Sequence, residues 1–384
     1  MRFEFATAAR IVFGPGTVRD IPVAAREMGR RALLVARRSA NFENNFEGSF
    51  EKMGIAGVPF PIHGEPTVDQ VRQGTQLARD EACGMVIALG GGSAIDAGKA
   101  IAALLANGGD PLDYLEVVGQ GRPLTRPSAP FIAIPTTAGT GSEVTRNAVL
   151  ASPAHRVKAS LRSPHMLPPL AVVDPELTLD LPPALTASTG LDALTQLIEP
   201  YVCNRANAMT DLYAVEGMRL AASALRRAWR DGRDLAARTE MSFASLLGGL
   251  ALANAGLGAV HGFAAPLGGM FDAPHGALCA ALLPHAMHVN IRALRARAPD
   301  GDALRRYAAA ARLLTGRSDA TPEDGAEWVT VLCGDLEVQP LRVYGVRQAD
   351  VPALAEKAAV ASSMKANPIV LTPKELQELV SLAI

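Results

Sequence analysis

The hydrophobic period of this chain changes once, near residue 183, and that change limits its fold more than any other feature. Before it, short apolar runs alternate with helical stretches. "RALLVARR" (31–38) reads as a buried strand. "TVDQVRQGTQLARDEA" (67–82) reads as an amphipathic helix capped by Thr67. "GMVIALGGGSAIDAGKAIAALLA" (84–106) reads as strand, glycine turn and helix. "PFIAIPTTAGTGSE" (130–143) follows as strand then loop, and "LAVVDPELT" (170–178) as a further strand. Strands alternating with helices specify a mostly parallel sheet covered on both faces. At "LDLPPALT" two prolines interrupt both periods. Beyond it the segments are long, Ala/Leu-rich and helical. The expected organisation is an α/β domain over 1–182 followed by an all-helical domain over 183–384.

Composition narrows the function classes. Of 384 residues, 49% are hydrophobic and 20% charged, enough apolar material for two full cores. The net charge of −1 gives no sign of a nucleic-acid partner. No apolar run reaches membrane-spanning length, and "MRFEFATAARIVFG" lacks a signal-peptide core, so no membrane partner is expected. Cys83, Cys203, Cys279 and Cys333 form no CxxC pair and read as reduced thiols, which points to the cytoplasm.

Three stretches carry chemistry. In "ALGGGSAIDAGKA" (88–100), glycines follow a strand and open a helix, whose free N–H groups and positive dipole end suit a pyrophosphate; Ser93 reads as a cap or a phosphate contact. This is not GxGxxG. "IPTTAGTGSE" (134–143) is a second hydroxyl-rich loop at a strand end, where ligands of open α/β sheets gather. In "TGLDALTQLIEPYV" (189–202), Asp192 and Gln196 stand i, i+4 on one helix face among apolar residues, so Asp192 needs a cap, an ion pair or a cation. "HGFAAPLGGMFDAPHG" (261–276) sets His261 and His275 fourteen residues apart, and spacing alone leaves loop structure and metal ligation both open.

Together with "RIVFGPGT" (10–17) and "VVDPELTLDLP" (172–182), these motifs, in this order, resemble the iron-containing (group III) alcohol dehydrogenase family over nearly the full chain. The resemblance implies an N-terminal dinucleotide-binding domain, a helical C-terminal domain, a divalent metal and nicotinamide-dependent interconversion of a small alcohol and aldehyde. By motif, Asp192, His261 and His275 fall on three ligand positions and Gln196 on the fourth, usually histidine. The resemblance places Gly91, Gly92, Ser93 and Asp96 at the pyrophosphate turn, Thr136, Thr137, Thr140 and Ser142 on the other wall, and Lys158 near the nicotinamide ribose. Replacing an imidazole by the Gln196 amide favours zinc over iron. A second departure is Ala265, where many members carry histidine.

Many NAD-using relatives have an aspartate after the second strand, at the position Arg37 takes here. An arginine accepts a 2′-phosphate that a carboxylate repels, so NADP is favoured over NAD, with Arg38 and Ser39 as further donors. The resemblance and the alternating N-terminal segment, read as an edge strand, imply a homodimer or larger. The alternatives are a metal-free reductase of the maleylacetate reductase type, a zinc/NAD lyase like 3-dehydroquinate synthase, and a non-catalytic binding relative.

Overall fold

A computed structural model of the chain describes residues 2–37, 46, 48–155 and 157–384. It divides into two compact units. One joins Ala6–Thr137 to Gly141–Thr178; the other joins Leu179–Ile384 to Met1–Phe5 and Ala138–Thr140. The short excursions follow packing that no sequence period records. The Phe5 ring lies 5.6 Å from that of Tyr213, and Gly139 lies against Thr189.

Among its described residues the first unit carries eight strands: β1 (Arg10–Phe13), β2 (Arg31–Ala36), β3 (Ala56–Pro61), β4 (Met85–Gly90), β5 (Phe131–Pro135), β6 (Asn147–Ser152), β7 (Val157–Arg162) and β8 (Leu170–Val173). Six form one sheet in the order β1-β8-β5-β4-β2-β3, with all neighbours parallel. β6 and β7 form a separate antiparallel pair that the sequence reading did not anticipate. Every residue of β4 and β5 is buried, as expected of strands covered on both faces. Alternate side chains divide between two cores. Leu33, Val35, Val86 and Ala88 enter one; Ala32, Met85, Ile87 and Leu89 enter the other.

Helices numbered below have eight or more residues. α1 (Ile21–Met28) packs Ile21 and Ala25 into the second core. α2 (Val68–Asp80) and α3 (Gly92–Asn107) fill the first. Thr67 caps α2 in a reciprocal capping box with Gln70. Gly98 lets α3 lie close on the sheet, since a Cβ there would come within 2.8 Å of Ala88 and Phe131. β8 stops at Val173, short of the expected 178, because Pro175 has no N–H to give. The Asp174 carboxylate instead accepts the amides of Gly16, Val18 and Glu176, tying the "FGPGT" turn to β8. At the N-terminus the alternation over 2–13 yields only the four residues of β1, which form one edge of the sheet.

The second unit is helical, and no strand follows β8 among the described residues. Its helices are α4 (Pro183–Val202), α5 (Ala208–Arg230), α6 (Leu235–Asn254), α7 (Ala259–Met270), α8 (His275–Arg297), α9 (Asp302–Thr315), α10 (Pro322–Asp335), α11 (Val351–Val360) and α12 (Pro373–Leu382). α4 is buried on all sides from Gly190 to Pro200, which marks it as the centre of this unit. Among the described residues, no single helix is long and apolar enough to cross a membrane.

One polar knot holds the first unit together. Lys99 on α3 is 1% exposed. Its ammonium donates to Ser142 O at 2.9 Å, Thr145 Oγ1 at 3.0 Å and Asn147 O, and lies 3.1 Å from the Asp96 carboxylate. Burial pushes the Lys99 pKa down, and Asp96 opposes that shift. Removing one member of a buried ion pair strands the other. Lys99→Met is therefore expected to lower local stability by about 3–5 kcal/mol, read as faster amide hydrogen exchange over 92–107 and 142–152. Unchanged exchange there would contradict this account.

Candidate metal centre and cofactor loops

Among the described residues, one group of acidic, imidazole and thiol side chains converges: Asp192, His261, His275 and Cys279, with one donor atom from each lying within 4.8 Å of all the others. Asp192 Oδ1 lies 3.4 Å from His261 Nε2 and 3.8 Å from His275 Nε2. Cys279 Sγ lies 3.6 Å from His275 Nε2 and 3.9 Å from His261 Nε2. The two rings are 5.4 Å apart. Asp192 is 1% and Gln196 3% exposed. Both Asp192 Oδ1 and Gln196 Oε1 are buried with no hydrogen-bond partner. α4 begins at Pro183, so Asp192 stands inside the helix and caps nothing.

The elements around the cluster explain its placement. His261 sits in the first turn of α7, within a stretch whose sequence left loop structure open. The first amides of α7 are capped by distant side chains: Ala259 N–H donates to Asn367 Oδ1 at 3.0 Å and Val260 N–H to Glu199 Oε1 at 2.7 Å. The second Glu199 oxygen accepts from His261 Nδ1 at 2.7 Å. This bond fixes the tautomer and leaves Nε2 facing Asp192. Asn367, from "SSMKANP", is itself held by Asn290 through paired amide bonds of 3.2 and 2.8 Å. His275 opens α8 after Pro274. Gly276 allows that end to approach α4, since a Cβ there would meet Ser188 O at 2.6 Å.

In this arrangement a neutral His261 presents a lone pair to a carboxylate oxygen, two acceptors face to face. Such a pair needs a positive charge between its members. The field of the cluster supplies the demand. Burial opposes a charged ring at His261, yet the Cys279 sulfur, Asp192 and Glu199 outweigh it and hold the pKa well above the ordinary value. Burial likewise opposes charge at His275, whose side chain is 36% exposed; Cys279 and Asp192 raise it to about 9. Burial also works against an ionised Asp192, but the two imidazoles keep its pKa low. A field that draws protons to two imidazoles draws a cation equally, so the donor set fits a divalent metal ion. A surface hollow of about 590 Å³ elsewhere on the helical unit, lined by Asp211, Asp302, Arg305 and Arg306 among others, shares no residue with this cluster.

The strand register brings the loop residues of the other unit together. Ala36 lies opposite Leu89, and Gly90 opposite Pro135. The loops after β2, β4 and β5 therefore emerge side by side, carrying Arg37, Gly91–Gly92–Ser93 and Thr136–Thr137. From β2 the chain runs outward to the edge strand β3, whereas from β4 it runs to β5 on the other side. The crevice between the C-terminal ends of β2 and β4 is thus a topological switch point. Gly91 is the N-cap of α3 and no side chain caps the helix, so Ser93 is not its cap. The amides of Gly92 and Ser93 precede the first intrahelical bonds. Arg37 is exposed. Arg38 and Ser39 lie outside the described residues.

Other expected cofactor residues are engaged within the protein. Asp96 accepts from the Ser142 hydroxyl and from Val149 N–H at 2.9 Å. Lys158, on β7, pairs with Glu65 at 3.3 Å and is only 10% exposed. Thr140 belongs to the excursion that joins the helical unit.

Sequence reasoning missed Glu199 and Cys279. Glu199 follows Asp192 by seven residues and Gln196 by three, on the same helix face, so the period contained the signal. Cys279 stands i, i+4 from His275, but that relation exists only once a helix is known to start there.

Comparison with known proteins shows the family. The sequence model for iron-containing alcohol dehydrogenase matches residues 8–175, and that for the C-terminal part of the Fe-containing alcohol dehydrogenase family matches residues 186–384. The chain is 36% identical over 392 residues to 1,3-propanediol dehydrogenase of Citrobacter freundii, covering 98% of this chain and 97% of that one. It is 31% identical over 391 residues to NAD-dependent methanol dehydrogenase of Bacillus methanolicus, covering 97% of each. A solved structure of 1,3-propanediol oxidoreductase matches the whole of both chains with a TM-score of 0.91 at 34% identity. The chain belongs to the iron-containing alcohol dehydrogenase family.

Proposed function

We propose that the protein interconverts a small alcohol and its aldehyde with a nicotinamide nucleotide. In this reading Asp192, His261 and His275 hold one divalent cation, with the Gln196 amide beside them, and the loops after β2, β4 and β5 hold the nucleotide. The observation that carries the reading is the buried Asp192 Oδ1, unpartnered and facing two imidazole Nε2 atoms. Family membership supports the hydride chemistry. A cation in this cluster supplies a Lewis acid for a carbonyl or hydroxyl oxygen, and the nicotinamide supplies or accepts hydride.

The chain's own residues bind and orient. Glu199 holds the His261 ring with Nε2 turned inward, and the amides of Gly92 and Ser93 with the dipole of α3 suit a pyrophosphate. One carboxylate and two imidazoles are compatible with zinc, and the feature that favours it in a family named for iron is the Gln196 amide, a weaker donor than an imidazole. The place of β1 at the end of the strand order supports a homodimer or larger, and four free cysteines support a cytoplasmic setting.

Asp192→Ala is expected to lose bound metal and to lower kcat/KM for aldehyde reduction by about a thousandfold or more, because metal polarisation contributes several kcal/mol. Chelation should abolish activity and added zinc restore it, followed through nicotinamide absorbance. Metal-stripped protein working at the full rate would sink the metal reading in favour of a metal-free reductase.

Arg37 supports NADP over NAD, since it follows β2 beside the glycine turn and offers a charge-assisted fork to a 2′-phosphate. One such bond contributes roughly 1.5–3 kcal/mol, a preference of about tenfold or more. Arg37→Asp should shift the ratio of kcat/KM values toward NAD by that factor. A wild type that prefers NAD, or a ratio the substitution leaves alone, would remove Arg37 from the nucleotide site.

A further inference from the structure

We infer that the Cys279 thiolate is a fourth donor to the metal ion and makes up for the weak oxygen of Gln196. The inference rests on the metal reading above and adds a ligand to it. His275 and Cys279 lie one turn apart on α8, so both side chains leave the same helix face. Cys279 is fully buried, and its sulfur has two imidazole Nε2 atoms for neighbours, at 3.6 and 3.9 Å.

Four of the six donor separations are close to those of a coordination shell. Tetrahedral zinc with bonds of about 2.0–2.1 Å to nitrogen or oxygen and about 2.3 Å to sulfur sets donors roughly 3.4 Å apart for oxygen and nitrogen, and roughly 3.6 Å apart for nitrogen and sulfur. The oxygen-to-nitrogen separations here are 3.4 and 3.8 Å and the sulfur-to-nitrogen ones 3.6 and 3.9 Å. A thiol can donate only one hydrogen bond; this sulfur faces two ring nitrogens that also face Asp192. The second, independent sign of a ligand is the unpartnered Asp192 Oδ1, in a residue 1% exposed, within the same group. A thiolate is a soft donor, which suits zinc or cobalt better than an amide oxygen does.

Cobalt(II) separates the possibilities without measuring turnover. Metal-stripped, full-length protein is titrated with one equivalent of cobalt(II) and its absorption recorded from the near ultraviolet into the visible. The wild type should show a near-ultraviolet sulfur-to-cobalt charge-transfer band together with visible ligand-field bands of a low-symmetry site. Cys279→Ser and Cys279→Ala should keep the ligand-field bands, lose the charge-transfer band, and bind zinc about tenfold more weakly or worse in competition with a chromogenic chelator. The wild-type spectrum alone is decisive if either variant folds poorly. Ligand-field bands without charge transfer in the wild type would overturn the role of Cys279 and leave the metal reading standing. A charge-transfer band that survives in Cys279→Ala would assign it to another thiol and overturn the role as well. No cobalt absorption of either kind would remove both.

Discussion

The buried carboxylate of Asp192 is the constraint around which the helical unit is arranged. An ionised oxygen inside a helix buried on every side carries a large desolvation cost unless a positive charge meets it. Among the described residues no arginine or lysine does so: Asp192 Oδ1 has no hydrogen-bond partner, and two imidazole nitrogens face it at 3.4 and 3.8 Å. The means of orienting those nitrogens come from far along the chain. Glu199 and Asn367 cap the first amides of α7, Glu199 also turns the His261 ring, and Asn290 steadies Asn367. Gly276 brings the start of α8 against α4. Each is a local device whose joint effect is to aim several electron-rich atoms at one point.

The other unit solves a different electrostatic problem with backbone rather than side chains. Its parallel register places three loops at adjacent strand ends, and a helix with no side-chain cap begins at one of them. Two of the residues expected to bind the cofactor, Asp96 and Ser142, are spent on one another and on Lys99. Their part is to hold the loop after β5 and the start of β6 against α3. The amides of Gly92 and Ser93, the hydroxyls of Thr136 and Thr137, and the Arg37 guanidinium stand at these strand ends.

Much of this was legible in the sequence because period and composition encode it directly. The change of texture near residue 183 reflects a real change from sheet to helix, and the fully apolar runs of β4 and β5 announce strands covered on both faces. Asp192 and Gln196 could be paired because i, i+4 is fixed by helix geometry. What escaped depended on where elements begin. Glycines and prolines disguised α7 as a loop, because Pro266 and Gly262 sit inside a helix whose end is secured by side chains over 60 and over 100 residues away. With the start of α8 unseen, Cys279 had no relation to His275. The β6–β7 pair was overlooked although its signal was present: "VKASLR" alternates apolar and polar residues, and Ala148, Leu150, Ala159 and Leu161 enter the first core.

Anomalous X-ray scattering tests most directly whether Asp192, His261 and His275 enclose a metal ion. Crystals of the protein grown with zinc and measured on both sides of the zinc absorption edge should give one strong anomalous peak per chain, within bonding distance of Asp192 Oδ1 and both imidazole Nε2 atoms. A zinc-replete crystal with no peak there, and the two histidines hydrogen-bonded to Asp192 instead, would contradict the account.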